Sequence, residues 1–380
     1  LSITGSIVAG SSGAINLTAS GAITESGGGL VNTTGLTTLS AGAGNDITLG
    51  GSNDFGSVTV LSGHNVALND VNTILFSGAS VISGTLGVTA VGIIEAVGGT
   101  LTVTGASTLN AGTGVITLGN ANNFSGAVTL TNSGANNVTL NNGANLLILG
   151  GASSVGTGTL TLTSVGITEG GASTITQAAG AGAVSITAGA GVINLGNNNN
   201  FTGTVSLSNS GAFAASLGNS GNLALGTVSV GNSLSVSSTF GSLTLNGPVT
   251  ATGGNSTFSA ATNMIVNAGI IATGRTVALN IGTNGGGGSL TFGSINIGAA
   301  TLNVAGGAGN DSFDLHNLTT TATTFTVNGG SGNNTLIGNN NGDNFNLTGA
   351  NAGNIAGLVT GFTNIQNLTG GSGNDSFTLA

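Results

Sequence analysis

The sequence predicts an all-β protein: a right-handed parallel β-helix, or β-solenoid, built from degenerate repeats. Three observations predict it. Aliphatic residues alternate with Thr or Ser in short runs, Gly, Asn and Ser interrupt those runs about every ten residues, and one longer unit recurs three times within residues 1–245.

The runs define the strands. Leu101-Thr-Val103, Val128-Thr-Leu130, Leu160-Thr-Leu162, Val205-Ser-Leu207 and Leu243-Thr-Leu245 all place two aliphatics around one hydroxyl residue. Successive side chains of a strand point to opposite faces, so each run has an apolar face and a hydroxyl face. The Gly-, Asn- and Ser-rich segments between runs carry turn chemistry, and no stretch has a helical period.

The longer unit opens on Ile23-Thr-Glu25-Ser-Gly-Gly, which returns as Ile93-Ile-Glu95-Ala-Val-Gly-Gly and Ile167-Thr-Glu169-Gly-Gly. An Ala-Gly-x-Gly turn and a strand ending in Leu follow each time, at Ala41 to Leu49, Ala111 to Leu118 and Ala188 to Leu195. A polar turn then closes on Phe: Asn53-Asp-Phe55, Asn122-Asn-Phe124 and Asn199-Asn-Phe201. The glutamates are 70 and 74 residues apart and the phenylalanines 69 and 77, a drift that places insertions in turns and keeps the strands. The chain divides into residues 1–245 with three such units of ~70–77 residues, degenerate coils over 246–305, and a solenoid continuation over 306–380 with Gly-rich turns.

Short strands with one apolar face cannot bury that face alone. Stacked coils share one inner column of Val, Ile, Leu, Ala and Phe. At roughly 20–25 residues per coil the chain makes about 15–19 coils, and at ~4.8 Å per coil a rod of roughly 70–90 Å. A twisted β-sandwich array is the alternative, but sandwich domains seldom lack Trp, Tyr and charge so completely. Stacking also accounts for the charge. With 1 Lys/Arg and 10 Asp/Glu in 380 residues, the chain avoids like charges on neighbouring coils, while Thr, Ser and Asn can form hydrogen-bonded ladders at that spacing.

Composition removes several functions. One basic residue, Arg275, cannot neutralise a phosphate backbone, so nucleic-acid partners are excluded, as is polybasic attraction to anionic lipid. Absence of Cys removes disulfides and thiolate metal sites. A positive mean hydropathy argues against disorder. No apolar run approaches the ~18 residues of a membrane span, so this segment is not expected to insert in a membrane. The chain begins with Leu1 and no signal-like segment, and reads as an excerpt of a longer mature protein.

The Ile-Thr-Glu-x-Gly-Gly, Ala-Gly-x-Gly-x-Ile-x-Leu and Asn-Asp-Phe-x-Gly series over residues 20–245 resembles the repeats of filamentous-haemagglutinin-like large exoproteins. Phe345 to Leu358, continuing to Asn367 through Leu379, resembles another repeat of such proteins. The resemblance implies a bacterial, exported, extracellular or cell-surface protein with a β-helical shaft, acting in adhesion or biofilm formation. Its partners would be itself, by end-to-end or lateral association, or a cell-surface or matrix ligand.

A second resemblance concerns the haemolysin-type nonapeptide, Gly-Gly-x-Gly-x-Asp-x-(apolar)-x. Gly306-Gly-Ala-Gly-Asn-Asp311-Ser-Phe313-Asp314 and Gly370-Gly-Ser-Gly-Asn-Asp375-Ser-Phe377-Thr378 fit it fully. Gly329-Gly-Ser-Gly-Asn-Asn334-Thr-Leu336 has Asn for Asp, and Asp343 and Phe345 keep phase nine residues on. In that family Gly permits the tight turn while backbone carbonyls and the Asp carboxylate ligate calcium. The resemblance therefore implies a calcium site at Asp311, Asp314, Asp343 and Asp375, with Asp46 a weaker echo. The bland reading is that these are turns inherited from a calcium-binding ancestor.

Catalysis has little to work with. A polysaccharide-cleaving site needs converging carboxylates, usually beside aromatic platforms, and there is no Trp or Tyr. Glu25, Glu95 and Glu169 occupy equivalent places and read as turn or cap residues. His64 and His316 lie in Gly/Asn-rich turns with no nucleophile signature near them. The 13 Phe residues mostly close Asn-rich turns or fill the apolar place of a nonapeptide, as core plugs. The expected function is thus a structural shaft or fibre, not an enzyme. The alternative is a binding module for ice or carbohydrate, because Thr159, Thr161 and Thr163 resemble a hydroxyl face; against it, the sequence does not repeat Thr-x-Thr at constant spacing.

Overall fold

The computed structural model describes residues 1–10 and 12–379. Among these, the regular elements are all β-strands and nearly all pair in parallel, so the protein is a β-solenoid of about 15 turns. The turns fall into two compact units, Leu1–Gly191 and Val192–Ala380. Among the described residues no helix is long and apolar enough to cross a membrane.

In the first unit Ile74, Ile93, Ile116, Val138, Leu160 and Val184 form one inward row, each paired with the next, at steps of 19 to 24 residues. A second row, Ile47, Val66, Leu86, Ser107 and Val128, climbs at steps of 19 to 21. The aliphatics of the first row are at most 1% exposed. A fully buried aliphatic contributes about 1.5–3 kcal/mol, so every coil is held by its inward residues, and variable coil length is absorbed in turns. Thr117, Thr139, Thr161 and Ser185 stand in register on the outside of the same strands. The corner plugs Phe55 and Phe124 are buried.

In the second unit the row Leu223, Leu243, Met264, Leu290, Phe313 and Leu336 climbs at steps of 20 to 26 residues. The next partner, Leu368, comes 32 residues on. The added chain is an antiparallel excursion not foreseen from the strand pattern: Asn344–Gly349, Ala352–Ile355 and Val359–Thr363 fold back on one another. It reverses at Asn351 and Gly357, both in the left-handed region at φ 57° and 77°.

Candidate functional site: the stacked turns of residues 306–378

Parallel pairing lays the four nonapeptide-like turns together as two stacked pairs. Ser312, Phe313 and Asp314 pair with Thr335, Leu336 and Ile337, so turn 306–314 stacks on turn 329–337. Asn344 and Phe345 pair with Ser376 and Phe377, so turn 338–346 stacks on turn 370–378. The rings of Phe345 and Phe377 stack at 4.7 Å. The two complete motifs thus each meet an incomplete one.

In three of the four turns the sixth-position side chain (Asp311, Asn334 or Asp375) reaches to the coil before it. Gln366 makes the same bond one coil further on, while Asp343 takes the Asn339 N–H of its own turn. Asp311 Oδ1 accepts the Gly288 N–H at 2.7 Å, Asn334 Oδ1 the Asp311 N–H at 2.8 Å, and Gln366 Oε1 the Asn334 N–H at 2.7 Å. Asp375 Oδ1 accepts the Asp343 N–H at 2.8 Å in the same way. The first glycine of each turn is required by the same side chain: a Cβ on Gly306, Gly338 or Gly370 would collide with the carboxylate of Asp311, Asp343 or Asp375.

The second atom of each group distinguishes Asp from Asn. Asn334 Nδ2 donates to the Asn364 carbonyl at 3.0 Å. One coil earlier, Asp311 Oδ2 and the Gly329 carbonyl oxygen both converge on the space beside Gly306, 2.5 and 2.6 Å from where its Cβ would be. Two oxygens thus border the same small space. Asp311 is 2% exposed and its Oδ2 has no hydrogen bond of ordinary geometry, although the Gly307 N–H faces the carboxylate. Burial raises the pKa of Asp311, against the lowering effect of the Gly288 and Gly307 N–H groups. Asp343 is 4% exposed with a buried, unbonded Oδ2. Its pKa is also raised, first by burial and then by the charge of Asp375, while the Asn339 N–H and His316 oppose the rise.

Asp314 lies apart from this arrangement. Its Oδ1 accepts the His316 N–H at 3.0 Å and faces His316 Nδ1 at 2.9 Å, a turn-local pair with about a third of each side chain exposed. Such a pair adds little stability. Among the described residues, no three His, Asp or Glu side chains come together as a metal cluster. Any cation here would rest on one or two carboxylates and backbone carbonyls, oxygen donors of the kind calcium takes.

The repeat glutamates are caps, as their recurrence suggested. Glu25 Oε2 accepts the Gly51 N–H at 2.7 Å and Asn53 Nδ2 at 3.3 Å; Glu95 Oε2 accepts the Asn120 N–H at 3.1 Å. Glu169 is likewise engaged. Asp46 accepts from the backbone and side chain of Asn65, and His64 Nδ1 meets Ser83 Oγ at 3.2 Å. What sequence reasoning missed is a set of buried caps on the Phe corners. Asp70, Asn142 and Asn219, at most 3% exposed, accept the N–H of Phe55, Phe124 and Phe201 at 3.2, 2.7 and 2.6 Å. Their only sequence signal is an acid or amide 15 to 18 residues after each Phe, lost in a chain so rich in Asn.

Fold and turns together define a β-solenoid repeat protein whose polar turn groups serve the stacking of coils. Within that class, the chain belongs to the family described as repeats of unknown function (DUF5649), which matches residues 2–62, 63–131, 133–208 and 212–269. No curated protein and no solved structure matches it.

Proposed function

We propose that this chain is a structural shaft or fibre-forming segment of a bacterial exported surface adhesin or extracellular matrix protein, acting in adhesion or biofilm formation and not in catalysis. The observation that carries the reading is the in-register stacking within each unit, with aliphatic rows inside and uncharged Thr, Ser and Asn rows outside. Such a surface suits a spacer. The motifs that resemble filamentous-haemagglutinin-like exoproteins, at Glu25, Glu95 and Glu169, lie within the matched family copies. Electron microscopy of the purified chain tests it. Extended particles or filaments with a ~4.8 Å axial repeat support a shaft or fibre; compact particles that cleave a polysaccharide would refute it.

Two further readings each rest on one observation. The oxygens of Asp311 and Gly329, and the stacked carboxylates of Asp343 and Asp375, favour calcium as a staple between coils. Calcium raising the melting temperature, and a chelator reversing it, would support this; indifference to both would remove it. The in-register row Thr117, Thr139, Thr161 and Ser185 meets the objection that hydroxyl spacing drifts in sequence, and favours a neutral lattice such as ice or carbohydrate. Thermal hysteresis in dilute solution, or retention on an insoluble polysaccharide, is the corresponding readout.

A further inference from the structure

The carboxyl group of Glu95 has no counter-charge beside it, and one of its oxygens is buried without a hydrogen bond of ordinary geometry. It ends the strand Ile93–Glu95, whose register partner on the preceding coil is Phe76. Its Oε2 accepts the Asn120 N–H at 3.1 Å from the following coil. Its Oε1 is buried with no hydrogen bond of ordinary geometry, although the Asn122 side chain faces the carboxyl. Asn120 in turn donates from Nδ2 to the carbonyls of Ala96 and Gly99, at 2.8 and 2.7 Å, closing the turn that follows Glu95. Asn122 then accepts the Leu101 N–H at 2.7 Å. Glu95, Asn120 and Asn122 therefore tie two successive coils at one corner.

We propose that Glu95 is a proton-operated latch on this corner: protonated, it closes the Asn120 turn against its own coil, and ionised, it loosens that turn. An ionised Glu95 would be a buried anion with no cation beside it, faced only by the Asn120 N–H and the Asn122 side chain, at a cost set by desolvation. The neutral acid keeps Oε2 as acceptor and turns the other oxygen into a hydroxyl. The groups facing it are neutral: Phe76 on the strand before, Ala96 and Gly99 in its own turn, and Asn120 and Asn122 on the turn after. The place is built into the repeat, for Glu25 has the same bond to the following coil and the same buried Oε1.

Burial, which outweighs the Asn120 N–H and the Asn122 side chain, raises the pKa of Glu95 from 4.5 to about 7. A raised folded-state value means that its stabilising contribution is complete below pH 4.5 and is lost as pH rises through about 7. The interval corresponds to an opening equilibrium up to ~300-fold larger above pH 8 than below pH 4.5. Hydrogen exchange of the Asn120 and Leu101 amides in the full chain, corrected for intrinsic rate, reads it directly. Protection should fall by one to two orders of magnitude across that range in the native protein, and stay level in Glu95→Gln. Equal pH dependence in both proteins would overturn the latch. If E95Q does not fold, carbon NMR of the native Glu95 carboxyl decides instead: titration near 7 supports the proposal, and titration in the ordinary carboxylate range ends it.

Discussion

Asn142 offers the sharpest test of how the corners are held. It is 0% exposed, accepts the Phe124 N–H at 2.7 Å, and donates to the carbonyls of Phe124 and Leu146 at 3.1 and 2.9 Å. Phe124 is itself fully buried, so water cannot replace the lost partner there. Asn142→Ala therefore strands a donor and an acceptor in the interior, at about 1–3 kcal/mol each, and removes a third bond worth about 1 kcal/mol net. The sum is a destabilisation of ~3–7 kcal/mol. Neighbouring coils share the loss, because each contacts only those beside it. Urea denaturation should show an earlier transition, and exchange of the Phe124 amide should accelerate by roughly two orders of magnitude or more. The matched control is Asn136→Ala, which removes one exposed bond, to the Thr113 carbonyl at 2.7 Å; it should cost under about 1 kcal/mol. If N142A were no more harmful than N136A, the corner would be held by the Phe side chain alone and the capping argument would fail.

Three other outcomes follow from the same geometry. Asp311→Asn keeps the acceptor for the Gly288 N–H and aims a donor at the Gly329 carbonyl, as Asn334 already does toward Asn364, so without calcium it should raise the melting temperature at pH 7. Because burial raises the Asp311 pKa, that gain should vanish on acidification below 3.8, where wild-type Asp311 is neutral in both states; a gain independent of pH would contradict the reading. Gly306→Ala must push its Cβ against Asp311 Oδ2 and the Gly329 oxygen, and should lose about 1–3 kcal/mol by calorimetry. Gly44→Ala, with nothing within 4 Å of the new carbon, should change stability by less than about 0.5 kcal/mol.

The fold was legible because its determinant is local. Leu160-Thr-Leu162 has its faces assigned by the strand period alone, and stacking merely adds Val138 on one side and Val184 on the other. The turns were legible as turns, since Gly and Asn mark them whatever lies beside them. Which turn stacks on which was not. That depends on coil length, and the antiparallel excursion at Asn344–Thr363 stretches the last step, so Asp375 meets Asp343 across 32 residues. The buried caps were hidden for a related reason. Asn142 and Asn136 look alike in the sequence, and only the position of the Phe124 amide on the preceding coil makes the first a core residue.

The sparse acids then acquire a common explanation. Parallel stacking sets equivalent residues ~4.8 Å apart, where two like charges repel by about 1 kcal/mol in water and by more once partly buried. A carboxylate placed in an outward row and repeated coil after coil would accumulate that repulsion. The acids that remain sit at corners, and most accept an N–H from an adjoining coil: Glu25 from Gly51, Asp46 from Asn65, Asp70 from Phe55, Glu95 from Asn120, Asp311 from Gly288 and Asp375 from Asp343. An amide can do the same work, as Asn142, Asn219 and Asn334 do. An acid is therefore tolerated most readily where no acid lies beside it on the adjoining coil, and the two exceptions are informative. Asp375 stacks on Asp343, and Asp54 lies near Asp70 on the adjoining coil; in each case the charge of the first raises the pKa of the second. At the stacked pair Asp343 and Asp375 a bound proton or a divalent cation would relieve that repulsion, so a calcium response of these turns should be lost in Asp375→Asn more completely than in Asp314→Asn, whose carboxylate is turned to His316.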